Sequence, residues 1–178
     1  MKLLIVFAVV ALASAVYFDP TYQVNMTLSG SNSWYGQNLT IDFFKDGYNA
    51  TEHKWYGVGF GTQMKGTDMV ICSRDNSTDF YCSQYYAEGR KRPVEVLPNN
   101  VTTVYGNLTD HVRDTFKVVI PYNSSLGTTF PVVWAYGDYD NGIMYHGKGQ
   151  RGVANMTIGY NSTDDWSLLY KPWKFLPF

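Results

Sequence analysis

Apolar and polar residues alternate one by one through Gln23–Ser29 and again through Leu39–Phe43. In the first run Val24, Met26 and Leu28 share one face, while Asn25 and Thr27 share the other. In the second, Leu39, Ile41 and Phe43 fall together. Period two belongs to a half-buried strand, because successive side chains on a strand point to opposite faces; a helix repeats every 3.6 residues. No apolar stripe at helical spacing is present. Further short runs, each ended by turn residues, lie at Lys54–Gly61, Asp68–Ser73, Asp79–Tyr86, Val94–Leu97, Val101–Gly106, Thr115–Pro121, Phe130–Tyr136, Ile143–His146 and Arg151–Tyr160. About ten strands in such a pattern predict an all-β, antiparallel, immunoglobulin-like β-sandwich. Aromatic residues make up 17% of the chain and supply bulky core material.

The ends point to a compartment. Met1-Lys2 is followed by an almost unbroken apolar run to Ala13, then Ala13-Ser14-Ala15. A basic start, a short apolar stretch and small residues at a cleavage site form a secretory signal peptide over 1–15. The run is shorter than the about 20 residues a membrane helix needs. The expected mature chain starts at Val16, with 163 residues (178 minus 15). Residues 16–163 are expected to form one domain. The aromatic, proline-rich tail 164–178 is expected to fold back on that domain, with self-association through the tail as the alternative. Nine N-x-S/T sites, at Asn25, Asn38, Asn49, Asn76, Asn100, Asn107, Asn123, Asn155 and Asn161, suggest a glycoprotein. The formal charge of −1 gives no basic excess of the kind that nucleic-acid binding requires. A secreted, extracellular chain without a membrane span is the expectation.

Cys72 and Cys82 flank Arg74–Thr78, a turn segment. A hairpin centred on Ser77 places the two cysteines opposite each other, within reach of a disulfide. The basic turn Glu88–Pro93 reads as a solvated loop, with a docking patch for an acidic partner as the alternative.

Candidate chemistry narrows quickly. Gly147-x-Gly149-x-x-Gly152 copies a dinucleotide fingerprint, but a strand follows it rather than a helix. Asp138–Gly142 has its glycine one place early for a calcium loop. No G-x-S-x-G is present, and His53, His111 and His146 lack zinc-like spacing. Two residues stand out. His146 sits in the glycine-rich run Tyr145–Gly152, and Met64 in Gly59–Met69. A Met and a His from distant segments can hold a haem iron from opposite sides, here between two packed sheets. In glycine-rich turns such residues are more often structural, and both readings stay open at this point. Gly57, Gly59 and Gly61, at period two, clear one face of their strand for a close neighbour or a tight crossing.

The run Trp55–Phe60, then Met64–Ile71, Val132–Gly137, Tyr145–Gly147 and Arg151-Gly152 resembles the DOMON family in order and spacing. The similarity is strongest to its haem-binding branch, which includes the cytochrome domain of cellobiose dehydrogenase. The resemblance implies a β-sandwich, non-covalent haem b, and axial ligation by Met64 and His146. Met69, in the following strand, is the lesser candidate. Lys148 and Arg151 are candidate partners of the haem propionates. The implied role is a secreted electron carrier rather than a catalyst, working with a redox partner protein or a small reductant. The alternatives are a haem-free, ligand- or sugar-binding or assembly-forming glycoprotein module and, more weakly, a hydrolase.

Overall fold

The computed structural model describes residues 15–19, 21–29, 37–47, 53–74, 80–89, 91–109, 113–122, 127–140 and 142–160. Expectations for the signal segment up to residue 14, the tail 164–178, His111, and the sequon residues Asn49, Asn76, Asn123 and Asn161 lie outside them. The described chain contains β1 (Ala15–Asp19), β2 (Tyr22–Ser29), β3 (Asn38–Asp46), β4 (Lys54–Phe60), β5 (Thr67–Arg74) and β6 (Phe80–Ala87). It continues with β7 (Val94–Glu95), β8 (Thr102–Thr109), β9 (Arg113–Pro121), β10 (Thr129–Asp138), β11 (Arg151–Thr157) and β12 (Gly159–Tyr160).

Two sheets form a sandwich. The first runs β1-β2-β3-β9-β8, with β12 also on β2; the second runs β11-β10-β4-β5-β6-β7. Every pairing is antiparallel except β12 with β2. The alternating runs do what their pattern dictates. Val24, Met26, Leu28, Leu39, Ile41 and Phe43 are buried on the inner face of the first sheet. They pack against Tyr56, Val58, Val70, Val132, Trp134 and Met156 of the second. Of the described sequon residues, Asn38, Asn100 and Asn155 are exposed, Asn25 is half-buried on the outer face, and Asn107 lies on β8.

Cys72 faces Cys82 across β5 and β6, and the two form a disulfide buried in the core. Closing so short a loop limits the unfolded chain, and replacing both cysteines by serine is expected to cost about 2–3 kcal/mol in urea unfolding. A loss below about 1 kcal/mol would show that the core alone holds the hairpin.

Four strand expectations are corrected. Ile143–His146 is a loop with one isolated bridge, Tyr139 to Ile143. Its burial does not alternate: Ile143 and His146 are buried while Met144 and Tyr145 between them are exposed. The run 151–160 is two strands, because the chain passes from the second sheet to the first around buried Ile158. The strand at Val94 stops after Glu95, and Leu97 beyond it is 79% exposed. β1, absent from the sequence-based count, pairs with β2.

β4 is central and buried on both faces. Tyr56 and Val58 point into the sandwich. Trp55, Gly57 and Gly59 have the opposite parity and point out of it. That outward face carries the site.

Candidate functional site

Strand register lays out the outer face of the second sheet row by row. One row is Arg151–Ala135–Gly57–Ile71 and the next is Val153–Val133–Gly59–Met69. Small residues at the middle of each row leave a shallow floor. A Cβ on Gly57 would lie 3.2 Å from Ile71 Cγ1 and 3.4 Å from the Trp55 ring. A Cβ on Gly59 would lie 2.8 Å from methyl carbons of both Thr67 and Val133. Gly57 is therefore nearly tolerant of a side chain, whereas Gly59 is fixed by its neighbours. A second apolar cluster, Trp55, Met69, Ile71, Ala87, Ala135 and Ile143, covers this face, with Met64 packed against it.

Loops build walls on the floor. The segment after β4 brings Gln63, Met64 and Lys65; the segment before β7 brings Lys91, Arg92 and Pro93; the loop after β10 brings Ile143 to His146. Together they enclose a cavity of about 820 Å³, within the usual range of small-molecule sites, about 300–1,000 Å³. The loop after β10 is pinned from below: Trp55 Nε1 donates to the Met144 carbonyl at 3.0 Å. Trp55 lies close over Gly137, where a Cβ would come within 2.9 Å of its Nε1. The loop is pinned again by the Met144 N–H, which donates to the Asp138 carbonyl at 3.1 Å. After the histidine, Gly147 N–H donates to Gln150 Oε1 at 2.6 Å and closes the turn.

Met64 and His146, distant in sequence, thus line one cavity. The cavity lies on the outward face of one sheet, which corrects the expectation of a site between the two sheets. The interior between the sheets is filled by the domain's own aromatic side chains. His146 is only 6% exposed, with its Nδ1 on the buried side of the ring. Burial, and then the positive charge of Arg151, holds the imidazole pKa below its usual value. The shift favours the neutral ring, which is the form that ligates metals. Its ring lies 6.4 Å from that of Trp55 and 4.7 Å from that of Tyr145. Met64 is half-buried; Met69 also lines the cavity but is buried in the sheet. Arg151 lines the cavity, whereas Lys148 sits outside the lining in the exposed turn. Among the described residues no three His, Cys, Asp or Glu side chains gather as a metal-ligand set. Sequence reasoning missed Lys65, and it placed Lys91 and Arg92 in a solvated turn, with docking of an acidic partner as the alternative and no link to His146. Their basic character was visible, but only strand register brings them to the mouth that holds His146.

The sequence profile of the DOMON domain matches residues 25–137. The chain belongs to the DOMON family. The matched stretch of this DOMON domain holds Met64 and the glycine floor, and it ends before His146. Its fold is similar to two solved structures. One is the cytochrome domain of cellobiose dehydrogenase from Myriococcum thermophilum, with a TM-score of 0.62 at 12% identity, covering 82% of this chain and 81% of that one. The other is the cytochrome b domain of pyranose dehydrogenase from Coprinopsis cinerea, with a TM-score of 0.62 at 11% identity, covering 81% and 80%. A search of curated protein sequences finds no match. At these identities the likeness speaks for the DOMON sandwich, not for what the cavity holds.

Proposed function

We propose that this DOMON domain is a secreted b-type cytochrome, a carrier of single electrons. One observation carries the reading: a buried imidazole and a half-buried thioether, from segments distant in sequence, line the same cavity. The flat glycine floor and apolar walls suit a planar macrocycle. The two structural neighbours are named as cytochrome domains, which supports the same reading.

In this reading His146 and Met64 would hold the haem iron and Arg151 would pair with a propionate; Lys148 lies outside the cavity lining. Haem held by His and Met supplies a one-electron couple of raised potential. The protein's own work is to exclude water with Trp55, Ile71 and Ile143, to keep His146 neutral, and to fix it through the anchored loop. If His146 and Met64 both held the iron, the group would supply electron transfer rather than bond chemistry. The apolar N-terminal run, the sequons and the disulfide support secretion.

The test is an absorption spectrum of the purified, haem-supplemented chain. A Soret band and a sharp reduced α-band are expected. The sharp band should disappear in His146→Ala and in Met64→Ala while the fold persists by circular dichroism. A wild-type protein with no Soret band would leave a haem-free ligand-binding module as the function.

A further inference from the structure

Lys65, Lys91, Arg92 and Arg151 line the cavity, and among the described residues no carboxylate does. This is not a general property of the chain, whose formal charge is −1. Elsewhere the charges are matched: Lys54 meets Asp138 at 2.6 Å, Arg113 meets Asp46 at 2.5 Å, and Lys117 meets Asp42 at 3.5 Å. Among the described residues, none of the four cavity cations pairs with a carboxylate, and all four are exposed. They come from three separate segments, so their convergence is a product of the fold. Glu88 is near Lys91 in sequence but does not reach the lining.

Apolar surface is interleaved with this charge. Tyr145 is 79% exposed and Met144 47% exposed at the same mouth. The Arg151 guanidinium donates to the Tyr145 hydroxyl at 3.4 Å. Of the sequon asparagines among the described residues, none lines the cavity. A surface without glycan sites, with unpaired cations and an exposed aromatic, has the composition of a protein contact. Tyr, Met and Arg are enriched at protein interfaces, and Tyr and Arg among their energetic anchors.

We propose that the cavity mouth is the docking surface for an acidic partner protein, with Lys65, Lys91, Arg92 and Arg151 steering it and Tyr145 as the central contact. The proposal builds on the electron-transfer reading by giving the carrier its partner's chemistry. A bound haem brings only two propionates, so cations remain to act outward. Tyr145 packs on His146, so a partner seated on it is in contact with the group beside the proposed iron position.

Poly-L-glutamate serves as the acidic polypeptide probe, with heparin as the acidic polysaccharide, each titrated into the full glycosylated chain. Binding of polyglutamate is expected to weaken by at least about tenfold between about 0.1 M and about 1 M salt, over which the screening length falls from about 10 Å to about 3 Å. The neutral pair Lys65→Gln with Lys91→Gln should weaken it by about threefold, and the reversal Lys65→Glu with Lys91→Glu by at least about tenfold. Both residues are exposed, so thermal melts should coincide with wild type; if the reversal fails to fold, the neutral pair decides. Tyr145→Ala should weaken polyglutamate binding without changing its salt slope. The proposal is overturned by salt-insensitive binding, by variants that bind as wild type does, or by binding to heparin alone. None of these readouts needs haem, so a missing Soret band and a missing partner surface are separate results.

Discussion

Replacing Asp114 by alanine is expected to cost the fold about 3–5 kcal/mol, a large part of the about 5–15 kcal/mol that holds a typical domain together. Asp114 on β9 of the first sheet and Arg74 on β5 of the second are both fully buried, with Arg74 Nε 2.8 Å from Asp114 Oδ1. The Tyr56 hydroxyl of β4 donates to the other carboxylate oxygen, Oδ2. One carboxylate thus joins three strands across the two layers. Alanine removes the negative charge facing a buried guanidinium and takes the acceptor from a buried hydroxyl. Asp114→Asn keeps an acceptor for Tyr56 but not the charge, and should fall between alanine and wild type. The informative variant is the double change Arg74→Met with Asp114→Leu. Taking two ions out of water offsets most of their attraction, so an apolar pair of similar volume should recover the part of the loss that comes from the unpaired charge, leaving the cost of the Tyr56 hydroxyl without its acceptor. Urea unfolding of wild type, Arg74→Met, Asp114→Leu and the double variant forms the cycle. If the double variant is as unstable as Asp114→Ala, the ion pair gives net stability that packing cannot replace.

The second large effect falls on function. Gly57→Leu is expected to leave a folded chain that takes up haem at least about tenfold more weakly, the equivalent of about 1.4 kcal/mol or more. Its Cβ would sit at a tight but adjustable 3.2 Å from Ile71, and the rest of the side chain would rise from the floor into the cavity. The cost to the fold should be about 1–3 kcal/mol, as for other overpacked sites. Gly59→Ala separates floor from fold. Its single added carbon meets two β-branched neighbours at 2.8 Å, so it should destabilise the sheet while adding little to the cavity. Haem titration and urea unfolding on both variants distinguish the two glycines. Unchanged uptake by Gly57→Leu would remove this cavity from consideration as the haem site.

Much of the sandwich was legible because burying one face of a strand forces period-two alternation. β2 and β3 therefore announced both their existence and their inward residues. The disulfide was legible because two cysteines equidistant from a turn must face each other. β12 was not, since Thr157 to Gly159 carries no turn signal where the chain changes sheets; only the packing of Ile158 marks the step. The loop at Ile143–His146 imitated a strand by composition alone. For the site, the glycine neighbourhoods of Met64 and His146 were visible, but their location was not. β4 is apolar on both faces, so its sequence does not say which face is the outer one. Pairing Gly57 with Ala135 and Ile71 settles that, and no local signal encodes it.

The parallel pairing of β12 with β2 also fixes where the described chain ends. Tyr160 stands beside Leu28 in the first sheet, the layer on the far side of the sandwich from the cavity. A surface anchor or fusion attached after that point begins behind the domain. For biosensor work this gives a natural polarity: a domain joined to a support directly after Tyr160 presents its open cavity to solution rather than to the support.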